Sequence, residues 1–269
     1  MKHVVLIGNC QCSGLRSVLS YTNFTEKYHV TQYANWQMIE NNESPPIRDL
    51  SNADVIIYQP LSDVYGCFST NPENPNNMMS MCKPDSIALS FPRIHNNSIW
   101  PIFKKHKNKD EYYGRELLSY YTSQHILTQD QFLYLYDNHL LDFKMQDRFN
   151  YNMTITKQKE HNTDIKVHDY IIKNIDKTRL FLTQDHPTTT IFHHCVTQIL
   201  DTLDIDFNPS FALESIDKNI TGLEDSVYGH ATHMYPDSSY SIFSYSDSMQ
   251  NDSFYRTELQ RFLDIHHIH

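Results

Sequence analysis

Val4-Val5-Leu6-Ile7-Gly8-Asn9-Cys10-Gln11-Cys12-Ser13-Gly14-Leu15-Arg16-Ser17-Val18-Leu19 is the stretch whose reading decides the fold. Val4 to Ile7 is a short, continuous, mostly β-branched run, the pattern of a strand buried on both faces. Gly8-Asn9 stops it. Gly14, Leu15, Val18 and Leu19 then recur at helical spacing to about Tyr21. Strand, tight turn and helix in that order open an α/β fold. The pattern returns along the chain. Tyr28 to Tyr33 alternates weakly and reads as a second strand. Ala53 to Tyr58, stopped by Gln59-Pro60, reads as a third, and Ser86 to Phe91, stopped by Pro92, as a fourth. Arg179 to Thr183 reads as a fifth. Pro187 fits a first helical position, which makes His186 the N-cap of a helix over 187–203. Ile191, Phe192, Cys195, Val196, Ile199, Leu200 and Leu203 give that helix a strong apolar face. Apolar strands alternating with helices predict a parallel sheet covered by helices on both sides.

The remaining segments organise around this core. Residues 69–84 are rich in Asn, Pro, Met and Ser and read as a loop. From 112 to 176, Leu117-Leu118, Phe132-Leu133-Leu135, Leu140-Leu141-Phe143 and Val167 to Ile175 suggest a mainly helical insertion. Residues 205–269 read as a loop-rich extension of the same α/β domain, with a last helix from about Asp252. No internal repeat is present.

Composition narrows the function. The chain has 269 residues with 39% hydrophobic and 20% charged, enough to bury a full core and unlike a disordered chain. No apolar run reaches the ~18 residues of a membrane span. The apolar start is too short for a signal-peptide core, so Asn23-Phe24-Thr25 and Asn152-Met153-Thr154 are expected to stay unglycosylated. A net charge of −10 argues against nucleic acid as a partner. The five cysteines are odd in number and scattered, which argues against a disulfide framework and for a reducing, cytoplasmic compartment. Cys10-Gln11-Cys12 and His193-His194-Cys195 lack the spacing of a zinc site, so no metal is expected. The six glycines form neither of the glycine-rich phosphate loops.

In open parallel sheets, ligands bind beyond the carboxyl ends of the strands. Those ends carry Gly8-Asn9-Cys10-Gln11, Gln59-Pro60-Leu61-Ser62-Asp63, Pro92-Arg93-Ile94-His95 and Asp185-His186-Pro187-Thr188. Cys10 precedes a helix, where partial positive charge favours a thiolate. Gly8 is read as letting the turn tighten. The N–H groups of Gln11 and Cys12, with the side-chain amides of Asn9 or Gln11, would form an oxyanion hole. His186 would serve as base; a buried turn cysteine and a helix-capping histidine are the structural alternatives. His193 and His194 read as helix-surface residues. The basic run Lys104-Lys105-His106-Lys107-Asn108-Lys109 reads either as a solvated surface loop or as a phosphate contact, and Tyr and Trp rings as core or as stacking surfaces.

Gly8-Asn9-Cys10-Gln11, Gln59-Pro60-Leu61-Ser62-Asp63, Phe91-Pro92 with Trp100-Pro101 downstream, and His186-Pro187-Thr188 before a helix occur in this order over residues 3–203. Together they resemble the WcbI-type polysaccharide biosynthesis family. Gly8-Asn9-Cys10 is also similar to the Gly-Asp-Ser of SGNH hydrolases, with a thiol in place of the hydroxyl. The Gly-x-Asn-Asp block and the Asp-x-x-His of that group are absent. The resemblance implies an SGNH- or flavodoxin-like core and acetyl transfer from coenzyme A to a sugar hydroxyl in capsule assembly. It further implies Cys10 as nucleophile or donor-positioning thiol, and His186 as general base. Coenzyme A carries several phosphate charges; Arg16, Arg93, Lys104 and Lys105 are the cations for them, with Gln59 at the adjacent strand end. The partners are then a small-molecule donor, acetyl-coenzyme A, and a saccharide acceptor; homo-oligomerisation is left open. A cysteine esterase or deacetylase, and a non-catalytic glycan- or nucleotide-sugar-binding module, are the alternatives.

Overall fold

The structure, a computed structural model, describes residues 1–98, 104–106, 109–112, 128–138, 140, 145–178, 180–183, 185–206, 260, 263 and 264. Trp100-Pro101, the pair Leu117-Leu118, the segment 141–144, most of the extension from 205 and most of the last predicted helix lie outside the described residues. The chain folds into two compact units. The described residues of the first lie in 1–94, 156–171 and 187–206, and those of the second in 95–155, 172–186 and 260–264.

The first unit is built on a parallel four-stranded sheet. Strand β1 (Lys2–Gly8) pairs with β2 (Tyr28–Ala34) on one side and with β3 (Val55–Tyr58) on the other, and β3 pairs with β4 (Ile87–Ser90). The spatial order β2-β1-β3-β4 begins the flavodoxin-type order, whose topological switch point lies between β1 and β3. Val4, Val5, Leu6 and Ile7 are at most 1% exposed, as expected of a central strand covered on both faces. On one face Val5, Ile7 and Ile56 join Leu50, Ala53, Phe68 and Met78 in a cluster. Helix α1 (Gln11–Ser20) buries Leu15, Val18 and Leu19 and packs against β1, β2 and helix α8 (Thr189–Thr202). Gly14 makes the helix contact close: a Cβ there would sit 2.2 Å from the Phe192 ring. Short helices α2 (Phe24–Lys27), α3 (Asn35–Glu40) and α4 (Ile47–Leu50) fill the connections, with 3₁₀ turns at Asp63–Phe68 and Met78–Met81.

The second unit contains an antiparallel ribbon of β5 (Lys104–His106) and β6 (Lys109–Tyr112), and helix α5 (Gln129–Asp137). Of the basic run, Lys104 to His106 lie on β5 and Lys109 opens β6, while residues 107 and 108 lie outside the described residues. Helices α6 (Met145–Glu160) and α7 (His168–Asn174) complete the described elements between β6 and β7.

Two expectations are corrected. The fifth predicted strand does not join the parallel sheet: β7 (Phe181–Thr183) pairs with β8 (His186–Pro187) in a two-stranded ladder of its own. Pro187 is consequently extended, α8 starts at Thr189, and Thr188 is the N-cap in place of His186. A ladder partner for residues 186–187 outweighs the helix-start preference of proline, which is a local tendency only. The apolar face of α8 is as predicted, with Ile191, Phe192, Cys195, Val196, Ile199 and Leu200 all buried.

Candidate functional site

Cys10 stands where β1 gives way to α1, and its side chain is exposed. Its backbone is already helical, at φ −55° and ψ −21°, so the capping passes to Asn9. Asn9 Oδ1 accepts from Gln11 N at 2.9 Å, and Asn9 O accepts from Cys12 N at 3.1 Å. Ser13 N donates to Cys10 O at 3.0 Å. The first turn of α1 has thus satisfied its own donors, a requirement of every helix start. The oxyanion hole expected from the N–H groups of Gln11 and Cys12 is not formed, because Asn9 holds both. The thiol itself remains at the positive end of the helix.

Gln11 and Gln59 explain the rigidity of this turn. Gln11 is 2% exposed. Its Nε2 donates to Ile94 O at 2.6 Å, and its Oε1 accepts from Ile94 N at 3.1 Å and from Gln59 Nε2 at 3.1 Å. Gln59 Oε1 in turn accepts from Asn9 N at 2.9 Å. Two buried amides therefore tie the ends of β1 and β3 to the segment after β4. Neither is presented to solvent, so the expected ligand-facing roles of Gln11 and Gln59 give way to scaffolding ones. Gly8 serves this network through space: a Cβ would lie 2.8 Å from Cys12 Sγ and 3.0 Å from Gln59 Oε1. No special backbone conformation is involved, which corrects the turn reading.

The two neighbouring thiols differ sharply. Cys12 is fully buried, and burial, followed by the adjacent Cys10, holds its thiol far above the ordinary range. Cys195 on α8 is likewise buried, its thiol pushed up to about 12 by desolvation and then by Glu160. Both are inert packing groups. His193 and His194 are not the surface residues expected. His193 is buried, and His194 stacks on Tyr170 at 4.1 Å with Nε2 3.1 Å from Lys166 O. Burial chiefly lowers the pKa of His194, with smaller opposing and reinforcing effects from its neighbours.

Arg16 and Arg93 are exposed in the first unit. Lys104 and Lys105 lie on β5 in the second unit. His186 also belongs to the second unit and is half-buried; desolvation lowers its pKa, opposed by Asp185. The imidazole is thereby favoured in its neutral, proton-accepting form. Asp185 makes a further pair that the sequence reading passed over: its Oδ1 lies 2.8 Å from His95 Nδ1. A carboxylate only accepts, so in this contact Nδ1 is the donor and Asp185 orients the ring. The side chains are 21% and 24% exposed. The only available signal was that both residues follow strands. In the same unit, a cavity of about 480 Å³ is lined by Asp130, Gln131, Tyr134 and Leu135 of α5, none of them a predicted site residue. Among the described residues no His, Cys, Asp or Glu group is arranged to hold a metal, and no helix is long and apolar enough to cross a membrane.

The family described as polysaccharide biosynthesis enzyme WcbI matches residues 3–208. No functionally curated protein matches the chain. A solved structure of WcbI, described as a polysaccharide biosynthesis enzyme and as the native protein without the disulfide bond between coenzyme A and one of its cysteines, is similar with a TM-score of 0.58. It is 16% identical, and the likeness covers 97% of this chain and 99% of that one. At that identity the likeness is one of fold.

Proposed function

The chain belongs to the WcbI polysaccharide biosynthesis enzyme family, and from that premise we propose that it is a coenzyme A-dependent O-acetyltransferase acting on a sugar hydroxyl in surface-polysaccharide synthesis. The observation that carries the reading is Cys10: an exposed thiol at a helix N-terminus, beside the switch point of a parallel sheet, on a turn fixed by two buried amides. The disulfide between coenzyme A and a cysteine named for the neighbouring structure is consistent with a cysteine of this fold lying near the donor's thiol end. The exposed Arg16 and Arg93, and Lys104 and Lys105, are the cations proposed for the donor's phosphates. A cytoplasmic site of action suits a chain whose described cysteines are all free.

In the covalent route the Cys10 thiolate attacks the thioester carbonyl of acetyl-coenzyme A. The C–S bond to coenzyme A breaks, coenzyme A leaves as its thiol with the proton that Cys10 gave up, and Cys10 carries the acetyl group. The sugar oxygen then attacks the Cys10 thioester, His186 takes the hydroxyl proton, and the Cys10 thiolate is restored. In the direct route Cys10 only positions the donor, and the sugar oxygen attacks acetyl-coenzyme A itself. The His95–Asp185 pair supports a second assignment of the base, because a carboxylate-oriented imidazole is the usual form of such a group.

The test is release of coenzyme A thiol from acetyl-coenzyme A with and without saccharide. Acceptor-dependent release, lost in Cys10→Ala, supports transfer. Release independent of acceptor favours the esterase. Coenzyme A binding or sugar binding without release favours a binding module.

A further inference from the structure

Gln59 bonds to the β1–α1 junction three times, at alternate residues around Cys10. Its N–H donates to Ile7 O at 3.1 Å, its Oε1 accepts from Asn9 N at 2.9 Å, and its Nε2 donates to Gln11 Oε1 at 3.1 Å. The β1–β3 ladder ends just before, at the pair Ile7 and Tyr58. In a regular parallel ladder the residue that donates to Ile7 O would next offer its own carbonyl to Asn9 N. Gln59 offers its side-chain oxygen in that place. The backbone of β3 is thus released to turn at Pro60, while the chain leaving β1 stays held as far as Asn9 and Gln11. Gly8 makes the reach possible: a Cβ there would lie 3.0 Å from Gln59 Oε1 and 3.1 Å from its Cγ. The amide is 5% exposed with both ends bonded, the condition under which a buried polar group is tolerated.

We infer that Gln59 is a positioning residue for the Cys10 thiol, holding Asn9 so that the sulfur stays at the positive end of α1. Being buried, it acts through Asn9 and touches no substrate. Asn9 passes the constraint on: its Oδ1 accepts from Gln11 N and its O from Cys12 N. Those N–H groups belong to the first turn of α1, whose partial positive charge favours a thiolate only within about one turn of the helix end. An apolar side chain would fill the same space between β3 and the junction, but it would leave Asn9 N unheld and the direction of the turn unset. The role in catalysis rests on the acetyltransferase reading given above; the effect on the thiol does not.

The full chain carries its own controls, because Cys67 is a second exposed thiol and Cys12 and Cys195 are buried. Modification by a pyridyl disulfide, resolved for each cysteine by mass spectrometry, is followed across pH in the native protein, Gln59→Met and Gln59→Glu. Methionine keeps nearly the shape of glutamine and neither polar end. In Gln59→Met the Cys10 rate at neutral pH should fall roughly 2- to 5-fold, the usual worth of a helix N-terminus to a charge beside it, with the Cys67 rate unchanged. Loss of stability has the opposite sign: opening of the unit speeds the modification of buried thiols and slows none. Gln59→Glu is the rescue. Its neutral carboxyl accepts from Asn9 N and donates to Gln11 Oε1, and burial favours that form. Cys10 should therefore match the native rate in acid and fall behind it as the carboxyl ionises. With acetyl-coenzyme A, Gln59→Met should lower kcat and leave KM nearly unchanged. A Cys10 rate in Gln59→Met that equals or exceeds the native one overturns the inference. So does a Gln59→Glu profile that tracks the native one at every pH, which decides the matter should Gln59→Met fail to fold. Slowed Cys10 modification in a native protein that transfers no acetyl group overturns the transferase reading and leaves the positioning role standing, so the two failures are distinct.

Discussion

Gln11→Leu removes three hydrogen bonds from the interior of the first unit while keeping a side chain of similar volume. Ile94 N, Ile94 O and Gln59 Nε2 each lose the partner they have in the native protein, at residues 0% and 5% exposed. An unsatisfied buried polar group costs ~1–3 kcal/mol, so three cost ~3–9 kcal/mol. Burying leucine offsets ~1.5–3 kcal/mol of this. The net loss is roughly 2–6 kcal/mol, a large part of the ~5–15 kcal/mol of a typical fold. Cys12 and Cys195 provide the assay, because both are 0% exposed in this unit and meet a disulfide reagent only when the unit opens. Their modification, resolved by mass spectrometry, should accelerate about 30- to 10⁴-fold, at ~1.4 kcal/mol per tenfold. Gln11→Glu retains the acceptors but sets a carboxylate oxygen against Ile94 O. It should be equally unstable at neutral pH and recover as acid protonates it. Acceleration of less than about threefold in Gln11→Leu, an effect near 0.7 kcal/mol, would show that the two-amide clamp does not hold the Cys10 turn.

Gly14→Ala should destabilise the α1–α8 contact by ~1–3 kcal/mol through overpacking, visible as a lower urea midpoint; Phe192→Leu in the same chain should return part of it, and additive losses would refute the contact. In the native protein iodoacetamide should label Cys10 and Cys67, both exposed, well before Cys12 and Cys195; early labelling of Cys12 would contradict its burial. If His186 is the base, His186→Asn should lower transfer about 10²- to 10⁴-fold with coenzyme A binding intact. Because its pKa is lowered, the acid limb of kcat/KM should fall below the usual histidine range; loss in Asp185→Asn and His95→Ala but not in His186→Asn would move the role to the pair. Stability has its own pH dependence: His194 is held below its unfolded pKa of 6.5, so the unfolded chain binds the proton first. Its contribution is complete above that value and declines as pH falls below it; a urea midpoint that rises on acidification from pH 7 to 6 would contradict this.

Pattern along the chain was enough for the α/β class, for strands β1 to β4, for α1 and α8, and for Cys10 at a strand-to-helix junction. Those features rest on short-range regularities: a β-branched run, a 3.6-residue stripe, a proline that stops a strand. The tertiary structure alone decided which partner each polar group takes. Gln11 and Gln59 look in sequence like amides offered to a ligand, yet they bond to Ile94 and Asn9, which only the pairing of β1, β3 and β4 brings within reach. Gly14 looks like any residue of a helical stripe until Phe192 arrives against it from α8. Arg179 to Thr183 has the composition of a sheet strand, but a neighbouring edge formed by His186-Pro187 captures it, and the helix start moves to Thr189 in consequence. Asp185 likewise has several histidines to choose from, and its pairing with His95 is set by distance in space. Local periodicity records the conformation of a segment and the side it buries; hydrogen-bond and close-packing partners are fixed by contacts between segments remote in sequence, which no single window of residues contains.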